Sequence, residues 1–387
     1  MPIIKNNLYH ALTTETTTKP VSAVKLQLDV LDGCKHQCPG CFVHRRGNSS
    51  DAQQFKDAIK FVDDIASRGI LIDEIIIGPT DFLSSENFYD VMPHLVDMIN
   101  EHSPILAFIT TLIDDELKPW VKWLGENINL NTEIEIGIAI DPFKFQNQIN
   151  YAENIKRKLN YISDNVEHDV VYTFLLNIKD YGLDYKTLHD DVVNSFTTTI
   201  DFIPSVSRSA KPHVTLATID KFNEYFDILA AGTRINNIMV DHSHAGMNYT
   251  VLNYKKGNWW LSPFLYENMV VEDDIFKIES FDDVEPIMSS QFNRAKGTEC
   301  ETCPMLFSCY NRKIILLRDY LGVDRCIAPK ENMINNLFNR DIPSFEMYSW
   351  EGYTPEADKN GYRKKFTLAD DTDEEELDRI KDIFFTN

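Results

Sequence analysis

Residues 28–47 read LDVLDGCKHQCPGCFVHRRG and place Cys34, Cys38 and Cys41 within eight residues, in a chain of 387 residues that holds seven cysteines. The other four, Cys300, Cys303, Cys309 and Cys326, gather toward the opposite end. No cysteine lies outside these two groups, which is not the scatter that core cysteines show. Clustered thiols in a chain without secretory features point to metal or catalysis rather than to disulfides.

The two groups differ in number, and the difference has chemical meaning. Three thiolates on a four-iron cluster leave one iron open to an outside ligand, whereas four close the coordination. An open iron does chemistry; a closed cluster holds structure, tunes a potential or carries electrons. Zinc competes as an occupant of the first group, since His36 and His44 lie close, but three thiols without a neatly spaced fourth ligand suit it poorly.

Upstream of Cys34 runs the strand-like AVKLQLDVL, and downstream of Cys41 the helix-like DAQQFKDAIKFVDDIASRG, so the first three cysteines occupy the loop of a βα unit. Five further strand patterns follow: DEIIIGPTDFL, PILAFITTLI, TEIEIGIAID, HDVVYTFLLNI and TTTIDFIPSVSRS. They alternate with helical patterns at the spacing of a parallel α/β structure.

Composition narrows the function. A chain that is 43% hydrophobic has ample material for a buried core, and its length suits one large domain plus a smaller one. It has no basic and apolar leader before a small-residue cleavage site, and no apolar run of the roughly 20 residues that span a bilayer. The expectation is a cytoplasmic protein with no membrane partner. A formal charge of -22 would repel a phosphate backbone, so nucleic acid is disfavoured as a substrate.

The C-x3-C-x2-C spacing of Cys34, Cys38 and Cys41, in a loop after a strand, resembles the signature of the radical S-adenosylmethionine (SAM) superfamily. The resemblance implies an α/β fold, a partial (β/α)6 TIM-like barrel over residues 24–230 after an N-terminal segment 1–23, with functional groups at the C-terminal strand ends. It implies that the three cysteines hold a SAM-binding 4Fe-4S cluster. Gly78-Pro79-Thr80-Asp81 stands where the family carries Gly-Gly-Glu for the SAM amino group. Only Gly78 matches squarely, so Thr80 or Asp81 must supply the polar contact. Thr110 and Thr111 end the third strand, and Asp141 ends the fourth in a pattern similar to the family's small-x-Asp. Asn177 after the fifth strand and Arg208 after the sixth become candidates for the SAM ribose or carboxylate. The residue before the third cysteine, bulky in the family, is Gly40, which leaves Phe42 to pack against the adenine. Each of these residues also reads as an ordinary strand cap, turn or surface charge.

At the other end, CETCPMLFSCYNRK gives C-x2-C-x5-C, and Cys326 follows after NRKIILLRDYLGVD. This resembles the SPASM extension, which normally holds two auxiliary clusters. Thiols for one of them are missing: Lys313 stands at one such position, and the family's G-x4-C falls on Gly257 and Ser262. The resemblance then implies a twitch-like domain over 231–340 with one auxiliary 4Fe-4S cluster on Cys300, Cys303, Cys309 and Cys326. His242 and His244, without a thiol beside them, read as solvent-facing or substrate-facing imidazoles. Trp259, Trp260, Phe264 and Tyr266 read either as a substrate groove or, more commonly, as the core of a β-hairpin. The acidic extension 341–387 reads as a solvated helix face or a loose tail, with a docking site for a basic leader peptide as the alternative.

The chemistry that the resemblance implies is reduction by a flavodoxin- or ferredoxin-like partner, cleavage of SAM to a 5'-deoxyadenosyl radical, and hydrogen abstraction from a substrate. The first expectation for that substrate is a peptide or protein side chain. Radical oxidation or rearrangement of a small molecule is the alternative, and a non-catalytic iron-sulfur electron carrier or zinc-binding protein is the reading from another class. No side chain stands out as a catalytic acid or hydrogen donor.

Overall fold

The computed structural model describes residues 23–36, 52–113, 116–140, 151–177, 201–205, 249–255, 257–261, 277–284 and 286. Its strands are β1 (Ala23–Asp29), β2 (Leu71–Ile77), β3 (Ile105–Thr110), β4 (Glu133–Ile140), β5 (Val170–Asn177), β6 (Asp201–Ser205), β7 (Tyr249–Lys255), β8 (Asn258–Leu261) and β9 (Lys277–Ile278). Its α-helices are α1 (Ala52–Ser67), α2 (Phe88–Val91), α3 (Val96–His102), α4 (Leu117–Asn127) and α5 (Tyr151–Asn165).

All strands join one sheet in the order β6-β5-β4-β3-β2-β1-β7-β8-β9. β1 to β6 are parallel and adjacent in chain order; five lie within strand patterns read from the sequence, and β2 begins two residues before its pattern, at Leu71. Parallel neighbours need a crossover long enough to return the chain, and α1, α4 and α5 occupy three of these crossovers. The architecture is α/β, a partial TIM-like barrel.

Helix formation follows the apolar period. In α1, Phe55, Ala58, Val62 and Ile65 recur at three- and four-residue spacing and all are buried. In α5 the same stripe is Ile155, Leu159 and Ile162. The strands receive these stripes on one face: Val24, Leu26 and Leu28 of β1, Ile75 and Ile77 of β2, Leu106 and Phe108 of β3, and Ile134, Ile136 and Ile138 of β4. Phe108 meets Trp120 of α4 edge to face at 5.7 Å and Phe82 at 4.9 Å. Each such side chain contributes about 1.5–3 kcal/mol by leaving water.

The opposite face is mixed, with Ile76 of β2 and Ile105, Ala107 and Ile109 of β3 beside polar groups. Lys25 and Gln27 of β1, Glu74 of β2 and Glu135 of β4 alternate with the apolar set. Parallel strands packed on both faces read as continuous apolar runs; KLQLD and EIEIGI do not. The face opposite the helix stripes therefore carries polar groups from β1, β2 and β4.

The hairpin of β7 and β8 turns at Gly257, whose φ of +77° is the left-handed conformation that glycine adopts without a Cβ clash. β7 runs parallel to β1, with Gln27 opposite Asn253. The sequence assigns this hairpin to the C-terminal unit, and the structure hydrogen-bonds it into the barrel sheet. Trp259 and Trp260 are buried as hairpin core, Trp259 stacking on Phe61 of α1 at 4.5 Å. Of the two readings of these tryptophans, core is the one observed.

Candidate functional site

The loop leaving β1 rises from the C-terminal edge of the parallel sheet, the edge where α/β proteins place their ligands. It carries Cys34, half-buried, followed by exposed Lys35 and half-buried His36. Its backbone is tied to the loop after β2. The Lys35 N–H donates to Ser84 O at 3.4 Å and the Glu86 N–H to Asp32 O at 3.2 Å, and Cys34 and Ser85 form an antiparallel bridge. Asn87 Oδ1 accepts the Asp32 N–H at 2.8 Å, while the Ser85 hydroxyl donates to Asp32 O at 3.0 Å. The fold thus holds the first cysteine by backbone pairing between two strand exits.

Gly78 follows β2 with a cis bond to Pro79. A Cβ on Gly78 would come within 2.7 Å of Ile109 Cγ1, so close approach to β3 requires glycine here. Thr80 is wholly buried, and its hydroxyl donates to Leu31 O at 3.0 Å. Asp81 is a hub. Its Oδ1 accepts the Leu83 N–H at 3.1 Å and the Thr110 hydroxyl at 2.8 Å; its Oδ2 accepts the Thr111 N–H at 2.8 Å and the Thr111 hydroxyl. His36 Nε2 lies 3.8 Å from the same Oδ2. Four hydrogen bonds occupy the lone-pair sites of its two oxygens in this structure.

The end of β3 is braced from below. Leu112 turns at φ +51°, its N–H donating to the Thr110 hydroxyl at 2.9 Å. The buried Lys158 of α5 donates Nζ to Leu112 O at 2.9 Å and to Ile113 O at 2.6 Å. The partners of Lys158 lie 45 and 46 residues away and the two threonine partners of Asp81 29 and 30, so neither arrangement carries a sequence signal beyond residue type.

Inside the barrel, Glu74 forms an ion pair with Lys25. Burial pushes the Glu74 carboxyl up to about 7; Lys25 opposes that shift and Glu135 adds to it. Across from Gln27, Asn253 is buried, and neither its carboxamide oxygen nor its nitrogen has a hydrogen-bond partner among the described residues.

No protein-family model matches the chain, and no curated protein matches it in sequence. Solved structures do match. "Native anSMEcpe with bound AdoMet and Cp18Cys peptide" aligns at a TM-score of 0.51 and 14% identity, covering 83% of this chain and 98% of that one. The two chains share a fold. Two structures of Streptococcus suis SuiB, one bound to S-adenosylmethionine, align at TM-scores of 0.45 and 0.43, each at 14% identity, covering 80% of this chain and 75% and 77% of theirs.

Within this fold, the structure brings Cys34, Gly78, Thr80, Asp81 and Thr110 to one edge of the sheet. Asn177 is the last residue of β5, at the same edge, in register with Ser205 of β6. Cys38, Cys41, Phe42, Asp141, Arg208, His242 and His244 lie outside the described residues, as do Phe264, Tyr266 and the whole C-terminal group Cys300, Cys303, Cys309 and Cys326. Among the described residues no helix is long and apolar enough to cross a membrane.

Proposed function

We propose that this chain is a radical SAM enzyme that abstracts a hydrogen atom from a peptide or protein side chain. The observation that carries the reading is the placement of Cys34. It leaves β1 at the C-terminal edge of six parallel strands, in a loop clasped by the exit of β2, in a chain that shares its fold with the anSMEcpe structure. Cysteine thiolates are the donors that iron-sulfur clusters take, and the half-buried loop suits one. Cys34, Cys38 and Cys41 would hold the SAM-binding cluster, and Cys300, Cys303, Cys309 and Cys326 an auxiliary one. The aligned anSMEcpe structure, which contains AdoMet and a peptide, supports a peptide as the substrate class.

A cluster held by Cys34, Cys38 and Cys41 would, when reduced by a flavodoxin- or ferredoxin-like partner, supply the electron for reductive cleavage of SAM. The rest is positioning by this chain's residues. Asp81, Thr110 and Thr80 hold the exits of β1, β2 and β3 in one arrangement. Gly78, Thr80, Asp81, Thr110, Phe42, Asp141, Asn177 and Arg208 are the proposed SAM contacts. The polar groups on the face opposite the helix stripes, Lys25, Gln27, Glu74 and Asn253, bind the polar atoms of a substrate and keep its reacting C–H oriented.

Anaerobic reconstitution tests the proposal. The expected result is about eight irons, an EPR signal perturbed by SAM, and 5'-deoxyadenosine in the quench. About four irons, a signal indifferent to SAM and no deoxyadenosine would leave an electron carrier.

A further inference from the structure

Beside the Cys34 loop, on the outer rim of the sheet edge, lies a cleft of about 330 Å³ between the exit of β2 and the start of α4. Its floor is aromatic and rigid: Phe82, Phe88 and Trp120 are buried and packed on one another, with Phe82 5.1 Å from Trp120 and 5.7 Å from Phe88. Its rim is exposed and charged, with Lys35 at one end and Glu86 and Glu116 around an exposed Tyr89. Tyr89 stands edge-on to Phe88 at 5.1 Å. Neither Glu86 nor Glu116 forms an ion pair or hydrogen bond through its carboxylate among the described residues. In sequence, Glu116 directly follows Asp114 and Asp115.

The chemistry of this cleft selects its occupant. Ring faces attract a cation through their quadrupole, and carboxylates at the rim complete the match. An anionic ligand would face two carboxylates against one ammonium, on a chain of formal charge -22. The aromatic floor accepts the methylene stem of a long side chain while the rim takes its head.

We propose that this cleft is a docking subsite for a lysine or arginine side chain of a peptide partner. It holds a basic segment outside the barrel mouth, next to the loop that carries Cys34. That the docked peptide is also the one modified rests on the proposed function; the docking itself needs neither cluster nor SAM.

The test is calorimetric titration of the full chain, without SAM, with a twelve-residue peptide of Ala and Gly carrying a single arginine, against the same peptide with citrulline. The expected result is preference for arginine, weakened at least about fivefold in the Glu86→Gln, Glu116→Gln double variant, with citrulline binding unmoved. A control double variant, Glu153→Gln with Asp164→Asn on the exposed face of α5, removes the same charge and is expected to bind like wild type. All four positions are exposed, so folding is preserved and is checked by thermal melting. Equal affinity for the two peptides, or equal weakening in both double variants, would overturn the subsite. Because binding is read without turnover, loss of the radical reading leaves this result standing, and the reverse also holds.

Discussion

Asp81 at the exit of β2 accepts the hydroxyl of Thr110 at the exit of β3, 2.8 Å away and wholly buried on the threonine side. Since Asp81 also takes the Leu83 and Thr111 N–H groups, the Asp81→Ala variant strands two buried backbone donors and two hydroxyls. The expected cost is about 2–4 kcal/mol, read as a lower urea midpoint. Asp81→Asn keeps part of the hub and is expected to fall between. If Asp81→Ala matches wild type, the hub does not hold the strand exits.

Lys158 offers a second check on the same edge. Lys158→Met keeps the apolar stem but leaves the carbonyls of Leu112 and Ile113 without their ammonium donor. A loss of about 2–3 kcal/mol is expected in denaturant unfolding.

Gly33 precedes the first cysteine with φ +61°, and a Cβ there would meet the Glu86 side chain at 2.7 Å. Gly33→Ala therefore adds left-handed strain and pushes Glu86 aside. The variant is expected to lose roughly 1–3 kcal/mol and to take up less iron on reconstitution, as measured by colorimetric iron assay. Full iron loading with unchanged stability would show that the loop tolerates the shift.

The buried carboxyl of Glu74 gives a pH signature. Its folded value is raised from 4.5 to about 7, so across that window the folded state binds more protons than the unfolded state. Stability from this group is present below pH 4.5 and is lost as pH rises toward 7. Glu74→Gln should remove that slope. Urea unfolding at about pH 5.5 and about pH 8 is expected to show a wild-type stability advantage that shrinks with pH relative to the variant. An advantage that grows with pH would mean that the Lys25 pair, rather than burial, sets the carboxyl.

The cysteine groups separate by iron count. Replacing Cys34, Cys38 and Cys41 with Ala is expected to leave about four irons and abolish deoxyadenosine formation. Replacing the four C-terminal cysteines is expected to leave about four irons and a SAM-responsive signal. The opposite assignment of the SAM-responsive signal would reverse the roles of the two groups.

The parallel pairing of β1 to β6 and the loop that holds Cys34 were legible in the sequence, and the strand order was what the resemblance to a partial (β/α)6 barrel implied. The reason is local: alternation such as EIEIGI reports one covered and one polar face, and strand patterns separated by helical ones leave few topologies. Trp259 and Trp260 were legible only as a choice between groove and core, because composition does not say what an aromatic packs on; Phe61 of α1 decided it. Asp81 was legible as a residue at a strand exit and not as the acceptor of four hydrogen bonds, since Thr110 and Thr111 reach it only when β3 lies beside β2. The same holds for Lys158, for the Glu74 and Lys25 pair, and for the place of β7 against β1. Residue type and spacing are written in the chain, so the thiol groups and the periodicity were determined there. Which donor meets which acceptor depends on segments tens of residues apart being brought together, and only the tertiary structure decides that.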